Sequence, residues 1–217
     1  MFTGGLDSTV LAYASIVQSS IRTRGIYFDL DRPPSPRERA SINRTSKALD
    51  MAVEFVDLRR ITTNVLGHLP FAMTAAADLD FDPNGERIPT AVARGGFASM
   101  LTLAAFYSHA LDIDKIALAL IKGQFIANPQ IPTFLTQLSG ALATLQPNLP
   151  AITFETPFSG MSKAQVITAG QALGVPFEDT WSCHRYGELH CGECVGCTSR
   201  KQAFTTAGVP DPTTYVV

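Results

Sequence analysis

The apolar positions of this chain alternate between helical and extended spacing. After residue 9, apolar side chains recur at Val10, Leu11, Ala14 and Val17, the spacing of a helix with one buried face. Short apolar runs bounded by turn residues follow and predict buried strands. These runs cover residues 25–29, 53–58, 115–121 and 151–155. Helical periodicity predicts further helices from 35 to about 51, from 94 to about 111, over 131–145, from 162 to a stop at Gly174, and around 198–206.

Helices and strands that alternate at short intervals are typical of parallel βαβ units. Right-handed crossovers then place helices on both faces of the sheet. We therefore predict an α/β fold, doubly wound, with a mainly parallel sheet of about five strands. The length of 217 residues suits one such domain with an appendage. We place the α/β domain at 1–180 and a C-terminal segment, packed on it, at 181–217.

Two predicted helix starts carry capping signals. Ser35, Pro36 and Glu38 form an N-cap, a first-turn proline and a capping box. Ser162 and Lys163 open a later helix with a Ser-x-x-Gln box. The stretch 59–90 is irregular and rich in proline and glycine turns. Such a connection is a lid or binding loop, or else a disordered insertion, and the sequence leaves both open.

Composition narrows the class of protein. Apolar residues make up 46% and charged residues 17% of the chain, which fits a globular core. The formal net charge of −2 argues against a broad nucleic-acid surface, although one small basic patch is compatible with it. We see no signal peptide and no apolar run that would cross a bilayer. We therefore expect a cytoplasmic protein with no membrane partner.

The first nine residues predict an anion-binding loop. Gly4 and Gly5 precede Leu-Asp-Ser and the first helix. Glycine permits a sharp turn and a close approach to a ligand, and the first N–H groups of a helix carry the positive end of its dipole. Thr3 and Ser8 offer hydroxyl groups to the same anion. The alternative is a surface turn that caps a helix.

Four cysteines lie between residues 183 and 197, and the chain has no others. A secreted disulfide framework would spread them more widely. Four thiolates with this spacing suit a closed tetrahedral zinc site, which is structural and helps to fold a small segment. An iron–sulfur cluster or redox dithiols are the alternatives. We expect His184 and His190 to lie beside the ligands. The predicted ligands are Cys183, Cys191, Cys194 and Cys197.

The Gly-Gly-x-Asp-Ser loop resembles the pyrophosphate loop of the N-type ATP pyrophosphatases. The C-terminal region, with Thr180-Trp181-Ser182-Cys183 and Cys191-Gly192-Glu193-Cys194-x-x-Cys197, looks like the zinc segment of the 7-cyano-7-deazaguanine synthases. Thr156-Pro157, Ser162-Lys163-Ala164 and Leu173-Gly174-Val175-Pro176 match the same family in the same order. The resemblance implies the adenine nucleotide alpha-hydrolase-like form of the α/β fold.

The resemblance also implies a reaction. A carboxylate of a 7-deazaguanine-type substrate attacks the α-phosphorus of ATP and gives an acyl-adenylate. Ammonia then displaces AMP to form an amide, and a second ATP activates the amide oxygen so that a nitrile forms. The implied cofactors are structural Zn²⁺ and ATP with Mg²⁺, which Asp7 would orient. Asp7, Ser8 and Lys163 are the implied catalytic residues. The implied nucleotide-binding residues are Phe2, Thr3, Gly4, Gly5, Leu6, Asp7, Ser8, Thr9, Phe28 and Lys163.

Two regions depart from the family pattern. A buried strand precedes the loop in that family, whereas only Met1 and Phe2 precede Thr3 here. We expect this strand either to be trimmed or to be supplied in another way. In the middle of the chain, the expected acceptor-site motifs are altered. The candidate substrate-binding residues there are Arg94, Gln124 and Gln130.

Three functions therefore remain open. The first is synthesis of a 7-cyano-7-deazapurine from the carboxylate and ammonia. The second is the same adenylation with transfer to another amine, on a protein or a nucleic acid, in defence or base modification. The third is a zinc-stapled, non-catalytic nucleotide-binding subunit. A homodimer is a candidate assembly, since the resembling family is often dimeric.

Overall fold

The computed structural model of the protein describes residues 1–29, 35–60, 79–81, 87–185 and 187–216, without the side chains of residues 35, 79–81 and 87–95. Its helices are α1 (Leu6–Tyr13), α2 (Ser35–Ala48), α3 (Thr90–Ala110), α4 (Lys122–Ala127), α5 (Ile131–Leu145), α6 (Lys163–Ala172) and α7 (Val195–Ala207). Its strands are β1 (Gly25–Asp29), β2 (Val53–Asp57), β3 (Leu79–Phe81), β4 (Arg87–Pro89), β5 (Lys115–Ala117) and β6 (Thr153–Glu155). None of the helices in these ranges combines the length and apolar character that a bilayer crossing requires.

Parallel pairing confirms the predicted α/β class. β1 pairs with β2 in parallel, with Gly25 opposite Val53. β5 pairs with β6 in parallel, with Lys115 opposite Thr153, while β3 and β4 are antiparallel. The predicted single sheet of about five strands is not confirmed, because the described strands form two-stranded sheets.

Residues 1 and 2 lie between the two parallel pairs. The Phe2 N–H donates to the Ile26 carbonyl of β1 at 2.9 Å. The Met1 amino group donates to the Ala117 carbonyl of β5 at 2.8 Å. Its burial lowers the pKa of this amino group to about 6. The backbone of Met1 and Phe2 thus contacts both inner strands immediately before the glycine loop.

The first helix is buried all round, and the prediction of a single buried face was wrong. Every residue of α1 except Asp7 is buried. The reason is its central position: Val10 and Leu11 pack with α6 and α7, while Ala12 packs with β1 and α2. Val17, predicted to continue the buried face, lies in a π-helical turn and is 55% exposed.

Successive residues of β1 enter different cores, as expected for a sheet covered on both faces. Tyr27 packs with α1 and α2, whereas Phe28 packs with α3, β5 and α5. On the α1 side, Gly170 lets α6 approach α1 closely, because a Cβ there would lie 2.7 Å from a methyl group of Val10. This close approach of α6 covers one side of α1.

Several element bounds differ from the predictions. The strand predicted over 115–121 ends at Ala117, and the helix α4 follows where none was expected. The helix predicted around 198–206 begins earlier, at Val195. Most of the irregular stretch 59–90 lies outside the described residues, although its parts β3 and β4 pair with each other. The division into 1–180 and 181–217 stays a prediction.

Candidate functional site

The glycine loop is held in one conformation by contacts from distant parts of the chain. Gly4 has a φ of +68°, a region that side chains disfavour. Its carbonyl accepts hydrogen bonds from Ser41 Oγ at 2.7 Å and from Trp181 N at 2.9 Å. A Cβ at Gly4 would lie 2.8 Å from the Glu38 carbonyl oxygen. The predicted need for glycine at this turn therefore has a direct steric cause.

The start of α1 presents N–H groups to a cavity. No side chain caps this helix at Gly5, and its first helical hydrogen bond runs from Thr9 N to the Gly5 carbonyl at 3.0 Å. The N–H groups of Leu6, Asp7 and Ser8 precede that bond and lie at the positive end of the helix dipole. This is the geometry of an anion-binding site.

The two loop hydroxyl groups bond to each other and to the loop. The oxygens Thr3 Oγ1 and Ser8 Oγ are 3.1 Å apart. Ser8 Oγ also donates to the Gly5 carbonyl at 3.0 Å and accepts from Thr3 N at 3.2 Å. The Gly5 N–H donates to Thr3 Oγ1 at 3.3 Å. Both hydroxyls thus bond within the loop, and their predicted contact with an anion stays a prediction.

Lys163 and Asp7 meet at this loop. The Lys163 Nζ lies 3.4 Å from Asp7 Oδ2, and each side chain is 22% exposed. Burial raises the pKa of the Asp7 carboxyl, while the charges of Lys163 and, more weakly, Arg200 oppose the rise. Asp7 Oδ1 is buried and has no hydrogen-bond partner among the described residues. That oxygen is therefore available to a cation or to a bound water molecule.

These groups face a cavity of about 310 Å³. Of the predicted residues, the cavity is lined by Thr3, Gly5, Leu6, Asp7, Ser8, Lys163 and Gln124. Other lining residues include Glu38, Phe97, Trp181, Ser182, His184 and Gly196. Residues 118–120, which directly follow β5, close one side. The cavity thus lies outside a carboxyl end of the parallel strands, where α/β folds bind ligands.

Other predicted residues take different places. Phe2, Thr9 and Phe28 are buried in the protein and do not line this cavity. Gln130 is the exposed N-cap residue of α5 and is also absent from the lining. The side chain of Arg94 lies outside the described residues. The binding roles of these five residues stay predictions.

Gln124 uses part of its amide within the fold. Its Oε1 accepts a hydrogen bond from Ile121 N at 2.9 Å, as the capping residue of α4. Its amide N–H groups are the part that remains for a ligand in the cavity. Sequence reasoning placed Gln124 near a substrate but missed this capping bond.

Among the cavity residues that sequence reasoning missed, Glu38 and Trp181 have the most informative contacts. The predicted capping box of Glu38 with Ser35 stays a prediction, because the Ser35 side chain lies outside the described residues. Glu38 Oε2 accepts a hydrogen bond from the Tyr27 hydroxyl at 2.7 Å, and the residue lines the cavity. Trp181 was noted only as part of a motif. Trp181 is close to Cys183 in the sequence, but only the structure shows that it also lies beside the glycine loop. A polar residue one turn into α2 gives no sequence signal for such a role.

The four thiols converge as predicted. All four Sγ atoms lie within 4.8 Å of one another, and the Cys183–Cys194 and Cys191–Cys197 Sγ distances are 3.9 Å. Tetrahedral zinc with Zn–S bonds of ~2.3 Å requires sulfurs ~3.8 Å apart. The four residues therefore fit a closed metal site, and structural zinc is compatible with it.

The surroundings of the sulfurs shift their pKa values in both directions, because burial raises the pKa of Cys183 and a hydrogen bond with Cys194 raises the pKa of Cys197. Backbone N–H groups donate to them, from His184 to Cys194 Sγ at 3.4 Å and from Cys191 to Cys183 Sγ at 3.4 Å. A hydrogen bond from Cys197 is the main cause that lowers the pKa of Cys194 to about 3. A bound metal would replace that shared proton, since metal ligation requires deprotonated thiols.

The two nearby histidines lie outside the ligand group, as expected. His190 is buried, and its Nε2 accepts a hydrogen bond from Ser182 N at 3.0 Å. Its ring lies 4.2 Å from the Trp181 ring, between centroids. His184 lines the cavity. Residues 181–184 therefore include one of the four clustered cysteines, Cys183, and also line the cavity beside the glycine loop.

The geometry defines an α/β protein in which a helix start with free N–H groups lies next to four thiols that fit a metal ion. The sequence profile described as "Queuosine biosynthesis protein QueC" matches residues 1–208. The 7-cyano-7-deazaguanine synthase of Methanoculleus marisnigri is 28% identical over 216 residues, which cover 99% of this chain and 96% of that protein. The enzymes of the same name from Chelativorans sp. and Ruegeria pomeroyi are each 31% identical to this chain. The two alignments each cover 98% of this chain, and they cover 90% and 91% of the respective enzymes. The chain belongs to the QueC family, and the resemblance inferred from its motifs is confirmed.

Proposed function

We propose that this protein is a 7-cyano-7-deazaguanine synthase, an ATP-dependent enzyme that forms AMP. The observation that carries the proposal is the meeting of the α1 N-terminus with Lys163 and Asp7 at one cavity. Family membership over residues 1–208 supports the choice of substrate class. Neither the loop nor the family match would specify the reaction alone.

The first step is adenylation. A carboxylate oxygen of the 7-carboxy-7-deazaguanine attacks the α-phosphorus of ATP, and the bond to the bridging oxygen of pyrophosphate breaks. Negative charge grows on the leaving pyrophosphate, so fixed donors and cations lower the barrier. We assign this role to the N–H groups of Leu6, Asp7 and Ser8 and to the Lys163 ammonium at this cavity. Mg²⁺ carried by ATP would add charge neutralisation, and Asp7 Oδ1 would hold the ion or one of its waters.

The later steps reuse the same groups. Ammonia attacks the acyl carbon, loses a proton, and AMP leaves with the electron pair of the broken C–O bond, so an amide forms. The amide oxygen then attacks a second ATP and releases a second pyrophosphate. Loss of the remaining N–H protons and of AMP leaves a nitrile. Because pyrophosphate leaves twice, one phosphate-binding loop serves both activations.

The decisive experiment is ATP–pyrophosphate exchange with and without 7-carboxy-7-deazaguanine, followed by mass spectrometry of the product with ammonium present. We expect exchange that depends on the carboxylate, and free nitrile as the product. Exchange without nitrile would favour transfer to another amine. ATP binding without exchange for any carboxylate would refute the synthase proposal and favour a non-catalytic subunit.

The matched variants for this test are Lys163→Ala and Lys47→Ala. Lys163 faces Asp7 in the cavity, whereas Lys47 lies in the last turn of α2 and is exposed. We expect exchange to fall by at least about 100-fold in the first variant and to be unchanged in the second. Equal rates in both variants would remove Lys163 from the mechanism.

A further inference from the structure

Arg200 is a fully buried cation that neither belongs to the metal-ligand group nor lines the cavity. It lies on α7, one turn after the last cysteine ligand. A buried guanidinium needs several well-placed acceptors to offset its desolvation. The acceptors of its hydrogen bonds therefore show which parts of the chain Arg200 holds in place.

Three of the acceptors belong to residues 177–182. Arg200 Nη2 donates to the Phe177 carbonyl at 2.9 Å, and Nη1 donates to Thr180 Oγ1 at 2.6 Å. A longer contact of 3.4 Å joins Nη1 to Ser182 Oγ. The planar guanidinium thus fixes this stretch at points on both sides of Trp181, as only a forked donor can.

The guanidinium is itself held from the C-terminal tail. Asp211 Oδ1 accepts from Arg200 Nε at 3.1 Å, and Asp211 Oδ2 accepts from the Tyr215 hydroxyl at 2.5 Å. The Arg200 Cζ also lies 5.0 Å from the centroid of the Phe204 ring. These contacts leave Arg200 a single orientation, so the position of α7 is transmitted to residues 177–182.

Trp181 connects residues 177–182 to the glycine loop. Its backbone N–H donates to the Gly4 carbonyl at 2.9 Å, beside the bond from Ser41 Oγ. The Gly4 carbonyl and the Gly5 N–H belong to one peptide plane and point in opposite directions. Whatever fixes the Gly4 oxygen therefore aims the Gly5 N–H, which donates to Thr3 Oγ1 at 3.3 Å, and both Thr3 and Gly5 line the cavity.

We propose that Arg200 is a positioning residue for the phosphate-binding loop, acting through residues 177–182 and the Trp181 N–H. The inference rests on the proposed function only in assigning pyrophosphate as the anion of this loop. In this arrangement, the C-terminal segment does more than stabilise the fold: it fixes the Gly4–Gly5 peptide that leads into α1.

The test compares Arg200→Lys with Arg185→Lys in the metal-loaded protein. Lysine keeps the positive charge at residue 200 but lacks the planar guanidinium that donates to several acceptors at once. Arg185 is an exposed arginine of the same segment that pairs with Glu193. The control variant therefore makes the same chemical change at a residue outside the contacts that link Arg200 to the loop. Inorganic pyrophosphate is the probe, and calorimetry gives its Kd. Trp181, the only tryptophan of the chain, gives an independent fluorescence titration.

We expect the pyrophosphate Kd to rise about 10-fold or more in Arg200→Lys and to stay unchanged in Arg185→Lys. Hydrogen exchange of the amides of residues 4–8 should become faster in Arg200→Lys alone. A purely structural role would lower the melting temperature and leave both quantities unchanged in the folded protein, and that result would overturn the proposal.

A second variant decides the matter if Arg200→Lys does not fold. Thr180→Val keeps Arg200 but removes the hydroxyl that accepts from Nη1. It should weaken pyrophosphate binding several-fold, and an unchanged Kd would overturn the proposal. If the wild type binds pyrophosphate but forms no AMP with any carboxylate, the proposed reaction is refuted, whereas the positioning role of Arg200 is not. If it binds neither pyrophosphate nor ATP, both fail.

Discussion

Replacing Gly4 by alanine tests whether the loop geometry matters for both stability and anion binding. Gly4 has a φ of +68°, and a Cβ there would lie 2.8 Å from the Glu38 carbonyl oxygen and 3.0 Å from Ser41 Cβ. Gly174, after α6, has the same φ of +68°, but there no described atom lies within 4 Å of the position of a Cβ. Gly174→Ala is therefore a control with the same backbone strain and no clash.

The strain and the clash can be estimated separately. Alanine in the left-handed region is less stable by about 1–2 kcal/mol, and its less flexible unfolded chain returns about 0.4–1 kcal/mol. Gly174→Ala should thus lower the free energy of unfolding by about 1 kcal/mol. Gly4→Ala adds an overpacking term of about 1–3 kcal/mol, because the backbone of α2 must shift. We expect about 3 kcal/mol in total.

Calorimetric melting of the metal-loaded protein measures the difference. At about 2–4 °C per kcal/mol for a chain of this size, the melting temperature should fall by about 2–4 °C for Gly174→Ala and about 6–12 °C for Gly4→Ala. Pyrophosphate affinity should drop at least about 10-fold only in Gly4→Ala, because a shifted Gly4–Gly5 peptide displaces the first N–H groups of α1. Equal melting temperatures would refute the clash. Unchanged affinity in a folded Gly4→Ala protein would refute the loop as the anion site.

Three further predictions follow from the site. Lys163→Ala should reduce AMP formation far more than the melting temperature, since Lys163 is expected to meet charge that develops in the reaction; equal losses, measured by exchange assay and calorimetry, would contradict its role. Cys194→Ala should release the metal and expose the C-terminal segment, because ligation contributes folding free energy; unchanged zinc content by mass spectrometry would exclude this. Burial alone would raise the pKa of Asp211, but the Tyr215 hydrogen bond and the Arg200 charge hold it below its ordinary value. The stability this adds is present above about pH 4 and is lost as the pH falls through the lower, folded-state pKa. Asp211→Asn should therefore flatten the acid limb of a stability-against-pH curve, and an unaltered limb would contradict that assignment.

The C-terminal segment contacts the glycine loop directly. Residues 181–184 contribute a cysteine ligand, a donor to Gly4 and part of the cavity wall. Gly196 in the first turn of α7 permits this proximity, because a Cβ there would collide with the Ser182 carbonyl oxygen. A side chain at residue 196 would push α7 away from the cavity.

The sequence determined the features that depend on neighbouring residues. The Gly-Gly turn, the Ser162 cap and the four clustered cysteines each act over a few positions, where covalent geometry limits the choices. The Ser162–Gln165 capping box is present as predicted, and the cysteine sulfurs converge as predicted. The α/β class with parallel strands also followed from periodicity, because each pattern matches one kind of buried face.

Only the tertiary structure decided the long-range contacts. Periodicity cannot show that α1 is covered on all sides, that Met1 and Phe2 bond to both inner strands, or that Gln124 uses its carbonyl to cap α4. It also predicted no contact of Glu38, Trp181 or Arg200 with the loop or the cavity. Their partners lie far away in sequence: Trp181 bonds to Gly4, and Arg200 reaches back to Phe177. Such contacts exist only once the layers have packed, since packing brings together residues that no local pattern relates.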